Sequence, residues 1–142
     1  MVPETLLAPA FALIVWTFVM LIWLYATRIP AMAKLKVDPQ EFARTGAKPN
    51  LPVAASRPAD NYNHLHEQPT LFYALCVIQT VSAPGPDLIA LYAAWAYVGI
   101  RVVHSLVQAT VNIIMLRFML FMLGSIALGV VAWRTGAGLF GL

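Results

Sequence analysis

Residues 61–75, NYNHLHEQPTLFYAL, place a cluster of polar side chains at the start of a long apolar run. The stretch contains two histidines, a glutamate, a glutamine and two asparagines, and no charged residue follows it before Ala83. A membrane-spanning helix tolerates such groups mainly where they face a partner or a cavity. The stretch therefore predicts a transmembrane helix whose first turns carry a polar site.

The composition of the whole chain agrees with a membrane location. Of its 142 residues, 61% are hydrophobic and 11% are charged, whereas a soluble domain has about 45–50% and about 25%. The formal net charge is +3, but six of the nine Lys and Arg residues lie between positions 28 and 57. This clustering indicates membrane topology and gives no signal for nucleic-acid binding.

The apolar runs predict an all-α, single-domain membrane protein that forms a four-helix bundle. The predicted spans are residues 5–27, 61–83, 87–112 and 116–133, and residues 28–60 form a proline-rich loop. The basic residues place that loop in the cytoplasm and both termini on the other side. Asp87 is predicted to cap the start of the third span. The expected location is a bacterial inner membrane, with the protein crossing it several times.

The third predicted span carries its own polar face. Arg101, His104, Ser105 and Gln108 are spaced so that they lie on one side of a helix. They lie at a depth similar to that of the polar residues of span two, so we expect Glu67 to pair with Arg101. Such a pair could line a ligand pocket, or it could simply lock two helices together. The residues alone leave both readings open.

A metal site is not expected. His64 and His66 are two residues apart and point to different sides of a helix. They could join His104 in a three-histidine set only if the start of the span unwinds. No Ser-His-Asp arrangement, glycine-rich phosphate loop or paired-carboxylate signal is found in the sequence.

Two segments resemble the MAPEG family, the membrane-associated proteins in eicosanoid and glutathione metabolism. HLHEQPTLFYAL at 64–75 resembles the Asn-x-x-Glu of the family's second helix with its following proline and aromatic residue. RVVHSLVQ at 101–108 is similar to the Arg-x-x-His-Thr/Ser-x-x-Tyr of its third helix. The resemblance implies a homotrimer that binds glutathione between subunits, open to the cytoplasm, and needs no metal.

The resemblance also implies roles for individual residues. Glu67, Arg101 and His104 match family residues of the second and third helices at the glutathione site. Arg117 matches the arginine thought to stabilise the glutathione thiolate, which makes it the expected catalytic residue. Arg28, at the end of span one, resembles a basic residue that helps to hold the tripeptide.

Three positions depart from the family pattern. His64 replaces an Asn, Asp60 stands where many members have a carboxylate-binding Arg, and Gln108 replaces a Tyr. With these three included in the binding site, the expected function is glutathione transfer to, or peroxidase action on, a lipophilic electrophile. The alternative is a non-enzymatic protein of the same fold that binds lipid or acts as a scaffold and has lost the thiol site.

Overall fold

The computed structural model describes residues 5–82 and 85–142, and within these ranges the chain is helical without strands. This confirms the predicted all-α class. The helices are α1 Leu7–Lys34, α2 Pro39–Thr45, α3 Val53–His64, α4 Gln68–Ser82, α5 Leu88–Ala109 and α6 Ile114–Phe140.

Three of these helices, α1, α5 and α6, are long and apolar enough to cross a membrane. The shortest, α5, has 22 residues, and at about 1.5 Å per residue it exceeds the roughly 30 Å hydrocarbon core of a bilayer. Large apolar side chains cover their outer surfaces, as Phe11, Phe18 and Ile22 do on α1 and Trp133 does on α6. Such surfaces suit contact with lipid or with a neighbouring subunit.

The region expected to form the second span is divided between α3 and α4, neither of which has 18 residues. The backbone between them tightens, because the amide of His66 bonds to Asn63 at 3.0 Å and that of Glu67 to His64 at 3.3 Å, three residues back. Pro69 has no N–H to donate to the carbonyl of Leu65, so the regular helix is interrupted here.

Other boundaries also differ from the sequence-based ones. Helix α3 begins at Val53, inside the predicted loop, and α1 continues to Lys34 instead of ending near Thr27. The loop is therefore shorter than expected and includes the short helix α2. Asp38 caps α2 at its start, and Gly46 ends it with a left-handed φ of 70°.

Helices α5 and α6 form the most extensive helix pair and are joined by a short turn. Asn112 adopts a φ of 53° in this turn, a conformation that asparagine tolerates better than most residues. Gly124 brings the helices close together, because a Cβ there would lie 3.5 Å from a side-chain carbon of Ile100. Helices α1 and α4 pack against this pair around a core that includes Leu13, Phe72 and Tyr97.

An ion pair fixes the end of the molecule remote from the loop. Asp87 accepts a hydrogen bond from the amide of Ala90 at 3.0 Å, which confirms it as the N-cap of α5. Its other oxygen pairs with Arg134 of α6 at 2.8 Å. Partial burial of Asp87 opposes its ionisation, but the bonds from Arg134 and Ala90 outweigh this effect, so the pKa of Asp87 lies below its ordinary value.

Candidate functional site

A buried arginine lies at the centre of the polar cluster between α3, α4, α5 and α6. Arg101 is 1% exposed. Its Nε donates to the hydroxyl of Tyr97 at 3.1 Å, its Nη1 donates to Nδ1 of His64 at 3.3 Å, and its Nη2 donates to Oε1 of Gln68. All three partners lack a negative charge. A guanidinium stays protonated in proteins, so the cluster holds positive charge without a carboxylate from the described residues.

Gln68 joins three helices around Arg101. Besides accepting from Arg101, its Oε1 lies 3.4 Å from the hydroxyl of Tyr97, which donates to it. Its Nε2 donates to the hydroxyl of Ser125 on α6 at 2.9 Å. Gln68 is the first residue of α4, so the break before α4 places this amide against α5 and α6.

Aromatic rings enclose the same cluster. The imidazoles of His64 and His104 stack with their centroids 5.0 Å apart and an interplanar angle of 17°. The guanidinium carbon of Arg101 lies 5.3 Å from the ring centroid of Phe121 and 5.5 Å from that of Tyr97. Both distances fall within the range of cation–π attraction, which partly compensates for burial of the charge.

The expected pair between Glu67 and Arg101 does not form in this chain. The side chain of Glu67 is 67% exposed, and its carboxylate approaches Nε2 of His64 at 3.9 Å. The interruption at residues 65–67 turns Glu67 outward, while Gln68, the next residue, faces Arg101. His64 accepts from Arg101 through Nδ1, so its proton is on Nε2, the nitrogen that approaches Glu67.

Buried polar groups continue along α5 beyond His104. Ser105 and Gln108 are buried as their helical spacing predicted, and Asn61 of α3 is 0% exposed. The Ser105 hydroxyl, Oε1 of Gln108 and both side-chain polar atoms of Asn61 have no hydrogen-bond partner among residues 5–82 and 85–142. Gln108 therefore belongs to the buried face of α5 but does not join the hydrogen bonds around Arg101.

Arg28 and Asp60 lie together in a separate cavity of about 340 Å³. The cavity is bounded by the end of α1, by the residues that precede α3, and by α3 itself. Arg28 is half-buried and Asp60 is exposed. The two residues that the resemblance links to the tripeptide thus line one cavity, although they are 32 positions apart in the sequence.

Arg117 occupies the second turn of α6. Its Nη1 donates to Oδ1 of Asn112 at 2.7 Å, and its buried Nε has no partner within the described ranges. A cation close to a helix N-terminus meets the positive end of the helix dipole. Arg117 therefore adds to a locally positive region at the start of α6.

Three of the expected site residues, His64, Arg101 and His104, thus meet in one cluster, and Arg28 and Asp60 meet in another. Gln68 was among the polar residues of span two that were expected to line the pocket. The cluster residues that the sequence did not indicate are Tyr97, Phe121 and Ser125. Tyr97 stands one turn before Arg101, so helical spacing could have found it. Phe121 and Ser125 lie in residues 118–133, where Ser125 is the single polar side chain, so no spacing pattern indicated either residue.

The described residues contain no group of three His, Cys, Asp or Glu side chains that could hold a metal ion. The polar groups near Arg101 consist of a buried guanidinium, a second arginine at a helix N-terminus and neutral hydrogen-bonding groups, a combination that suits an anion. The sequence model of the MAPEG family matches residues 6–137. The chain belongs to the MAPEG family.

Membership of the MAPEG family and the three apolar helices identify the chain as an integral membrane protein of a glutathione- and eicosanoid-related family. The family expected from the two polar segments is thereby confirmed. No curated protein and no solved structure shows significant similarity to the chain.

Proposed function

We propose that this MAPEG protein is a glutathione transferase or peroxidase that acts on a lipophilic electrophile. The observation that carries the proposal is the burial of Arg101 among neutral partners. An uncompensated buried cation is costly, and a bound carboxylate would supply the missing negative charge. Glutathione carries two carboxylates, so it can compensate Arg101 and still place its thiol elsewhere in the site.

Arg117 is the proposed catalytic residue. Its charge and the free amides at the start of α6 would lower the pKa of a nearby thiol, as such surroundings do for cysteine. The thiolate sulfur then forms a bond to an electrophilic carbon, and the leaving group departs with the bonding electron pair. In the peroxidase variant the thiolate sulfur attacks the terminal oxygen of a hydroperoxide, the O–O bond breaks, and the alkoxide leaves with the bonding electron pair and takes up a proton. A second glutathione then attacks the resulting sulfenic acid, which loses water as the disulfide forms.

The proposed assembly is a homotrimer of four-span subunits, with α3 and α4 together making the second crossing. Three features support it: the apolar outer surfaces of α1 and α6, the basic segment between α1 and α3, and membership of the MAPEG family. A site at this depth would receive its electrophile from the lipid phase. A bacterial inner membrane is the proposed location.

The test compares Arg117→Ala and Arg117→Lys with the wild type. Losing one electrostatic group of this kind costs on the order of 10²–10³ in rate, and Lys should restore part of it because a point charge remains. The measurements are the ultraviolet absorbance of the glutathione thiolate and turnover of an aromatic electrophile. Arg134→Lys, at the other end of α6, is the matched control and should leave both unchanged. Turnover that survives in Arg117→Ala would exclude the proposed role.

One observation favours a lipid-binding protein that has lost the thiol site. Asp60 lines the same cavity as Arg28, where its carboxylate would repel a ligand of net negative charge such as glutathione. Calorimetry with glutathione in detergent separates the two functions. No binding, no thiolate signal and no turnover in the wild type would favour the lipid-binding protein.

A further inference from the structure

A second set of polar side chains lies at the end of the molecule remote from Arg101 and the basic loop. Two adjoining cavities of about 310 and 740 Å³ lie there, at the ends of α4 and α6 and the start of α5. Gln79 and Asp87 line both cavities, and Arg134 lines the larger one. We call this space the remote cleft. Both volumes fall within the roughly 300–1,000 Å³ that ligand pockets usually have.

Gln79 presents an amide to the remote cleft that has no protein partner. The residue is 5% exposed, and its side chain forms no hydrogen bond within residues 5–82 and 85–142. The hydroxyls of Thr80 and Ser82, by contrast, donate to carbonyls of their own helix. Leaving a buried amide unpaired is costly, so this position favours a ligand that bonds to it.

Arg134 uses only part of its guanidinium in the pair with Asp87. Its Nε donates to Oδ2 of Asp87 at 2.8 Å, and its two terminal nitrogens form no hydrogen bond with any other residue that the structure describes. The side chain is 39% exposed. Two neighbouring guanidinium nitrogens match the oxygens of a phosphate. Arg134 can therefore hold a phosphodiester and keep its pair with Asp87.

The polar groups of the remote cleft lie at the depth of lipid headgroups. Arg134 precedes the end of α6 by about 9 Å along the helix axis, and Gln79 precedes the end of α4 by about 5 Å. The exposed side chains of Leu88 and Ile89 form an apolar part of the wall. Trp133, next to Arg134, is 70% exposed, and tryptophan is enriched at membrane interfaces. The cleft thus combines polar groups with an apolar surface where a bilayer changes from one to the other.

A second copy of the chain offers no unpaired acidic side chain to Arg134. Apart from Asp87, the acidic residues of the described ranges lie on or beside α2 and α3, at the opposite end of the molecule: Asp38, Glu41, Asp60 and Glu67. A phospholipid carries a phosphate at the depth of Arg134. This difference favours a lipid over a second copy as the occupant.

We infer that the remote cleft binds a membrane phospholipid, with its phosphodiester at the terminal nitrogens of Arg134, an ester carbonyl at the amide of Gln79, and its acyl chains along the apolar wall. The charges of Asp87 and Arg134 sum to zero, so a zwitterionic headgroup suits the cleft better than an anionic one. The lipid site is separate from the proposed thiol site and does not depend on it.

The test measures binding of dimyristoyl-phosphatidylethanolamine to the protein in mild detergent by native mass spectrometry. Gln79→Leu keeps the side-chain volume and the ion pair, and should weaken binding about fivefold, the size of one hydrogen bond. Gly138 lines the cleft, and a Cβ there would have no atom within 4 Å. Gly138→Leu should therefore fold, fill the cleft and abolish the specific binding. Gly136→Leu, which also adds its side chain to open space but outside the lining of the cleft, is the matched control and should bind as the wild type does.

Two further probes identify the ligand. Glycerophosphoethanolamine has the headgroup without acyl chains and should bind far more weakly than the whole lipid; equal binding would point to a soluble phosphodiester and overturn the lipid assignment. Dimyristoyl-phosphatidylglycerol should bind more weakly than the ethanolamine lipid, because the carboxylate of Asp87 lies in the same cleft.

Wild-type lipid binding in both Gln79→Leu and Gly138→Leu would overturn the inference, and so would an equal loss in Gly138→Leu and Gly136→Leu. If Gly138→Leu breaks an oligomer into monomers while lipid binding stays unchanged, a second copy covers the cleft and the lipid site does not exist.

Discussion

Replacing Gln68 with glutamate tests whether Arg101 is an uncompensated cation. The change keeps the size of the side chain and the oxygen that accepts from Arg101 and Tyr97, but adds a negative charge beside the guanidinium. At a separation of about 3 Å and an effective dielectric constant of about 20, the attraction is roughly 5 kcal/mol. Desolvating the carboxylate costs several kcal/mol, and replacing the donor to Ser125 costs about 1 kcal/mol.

The expected net effect of Gln68→Glu is a stabilisation of about 1 kcal/mol, which raises the melting temperature in detergent by roughly 3–4 °C. Glutathione binding should weaken at least tenfold, because the new carboxylate neutralises the guanidinium of Arg101 to which a ligand carboxylate would otherwise bind. An uncompensated charge in a ligand site often lowers the stability of the ligand-free protein.

Gln79→Glu is the matched control. Gln79 is also a buried glutamine of α4, 5% exposed, but it lies near Asp87 at the other end of the molecule. A new carboxylate there finds a like charge and should lower the melting temperature. If Gln68→Glu lowers the melting temperature as much as Gln79→Glu does, Arg101 already has a counter-charge and the reasoning fails. Unchanged glutathione binding in a stabilised Gln68→Glu variant would remove Arg101 from the ligand site.

Three further predictions concern topology, pH and assembly. Reporter fusions at Lys48 and Leu142 should give opposite signals, because three crossings separate these positions; equal signals would require an even number. Asp87 has a lowered pKa, so the stability from its pair with Arg134 is fully present above the unfolded-state pKa of about 3.9 and is lost as the pH falls through the folded pKa. The difference in melting temperature between wild type and Asp87→Asn should therefore shrink below about pH 4, and a difference that stays constant with pH would contradict this. Native mass spectrometry in mild detergent should find trimers, and monomers alone would count against the proposed assembly.

The sequence by itself determined that this protein lies in a membrane and that α5 has a polar face. The charge-free runs are long enough that only a bilayer suits them, which follows from composition and helical rise. Arg101, His104, Ser105 and Gln108 are all buried, because one continuous helix keeps residues spaced by three and four positions on one side. Local patterns of this kind survive folding wherever the helix is regular.

Only the tertiary structure decided which group meets Arg101. A continuous helix through residues 61–83 would have allowed Glu67 to face α5, and the charges made that pairing the obvious one. Pro69 removes a backbone donor, and the turn at residues 65–67 tightens. Because consecutive residues of a helix point about 100° apart, this local change decides which side chain faces α5. The side-chain amide of Gln68 therefore accepts a hydrogen bond from Arg101, while the side chain of Glu67 points outward. The presence of Arg28 and Asp60 in one cavity likewise results from packing, since α3 begins at Val53 and lies against α1. Helical periodicity cannot relate residues on two separate helices.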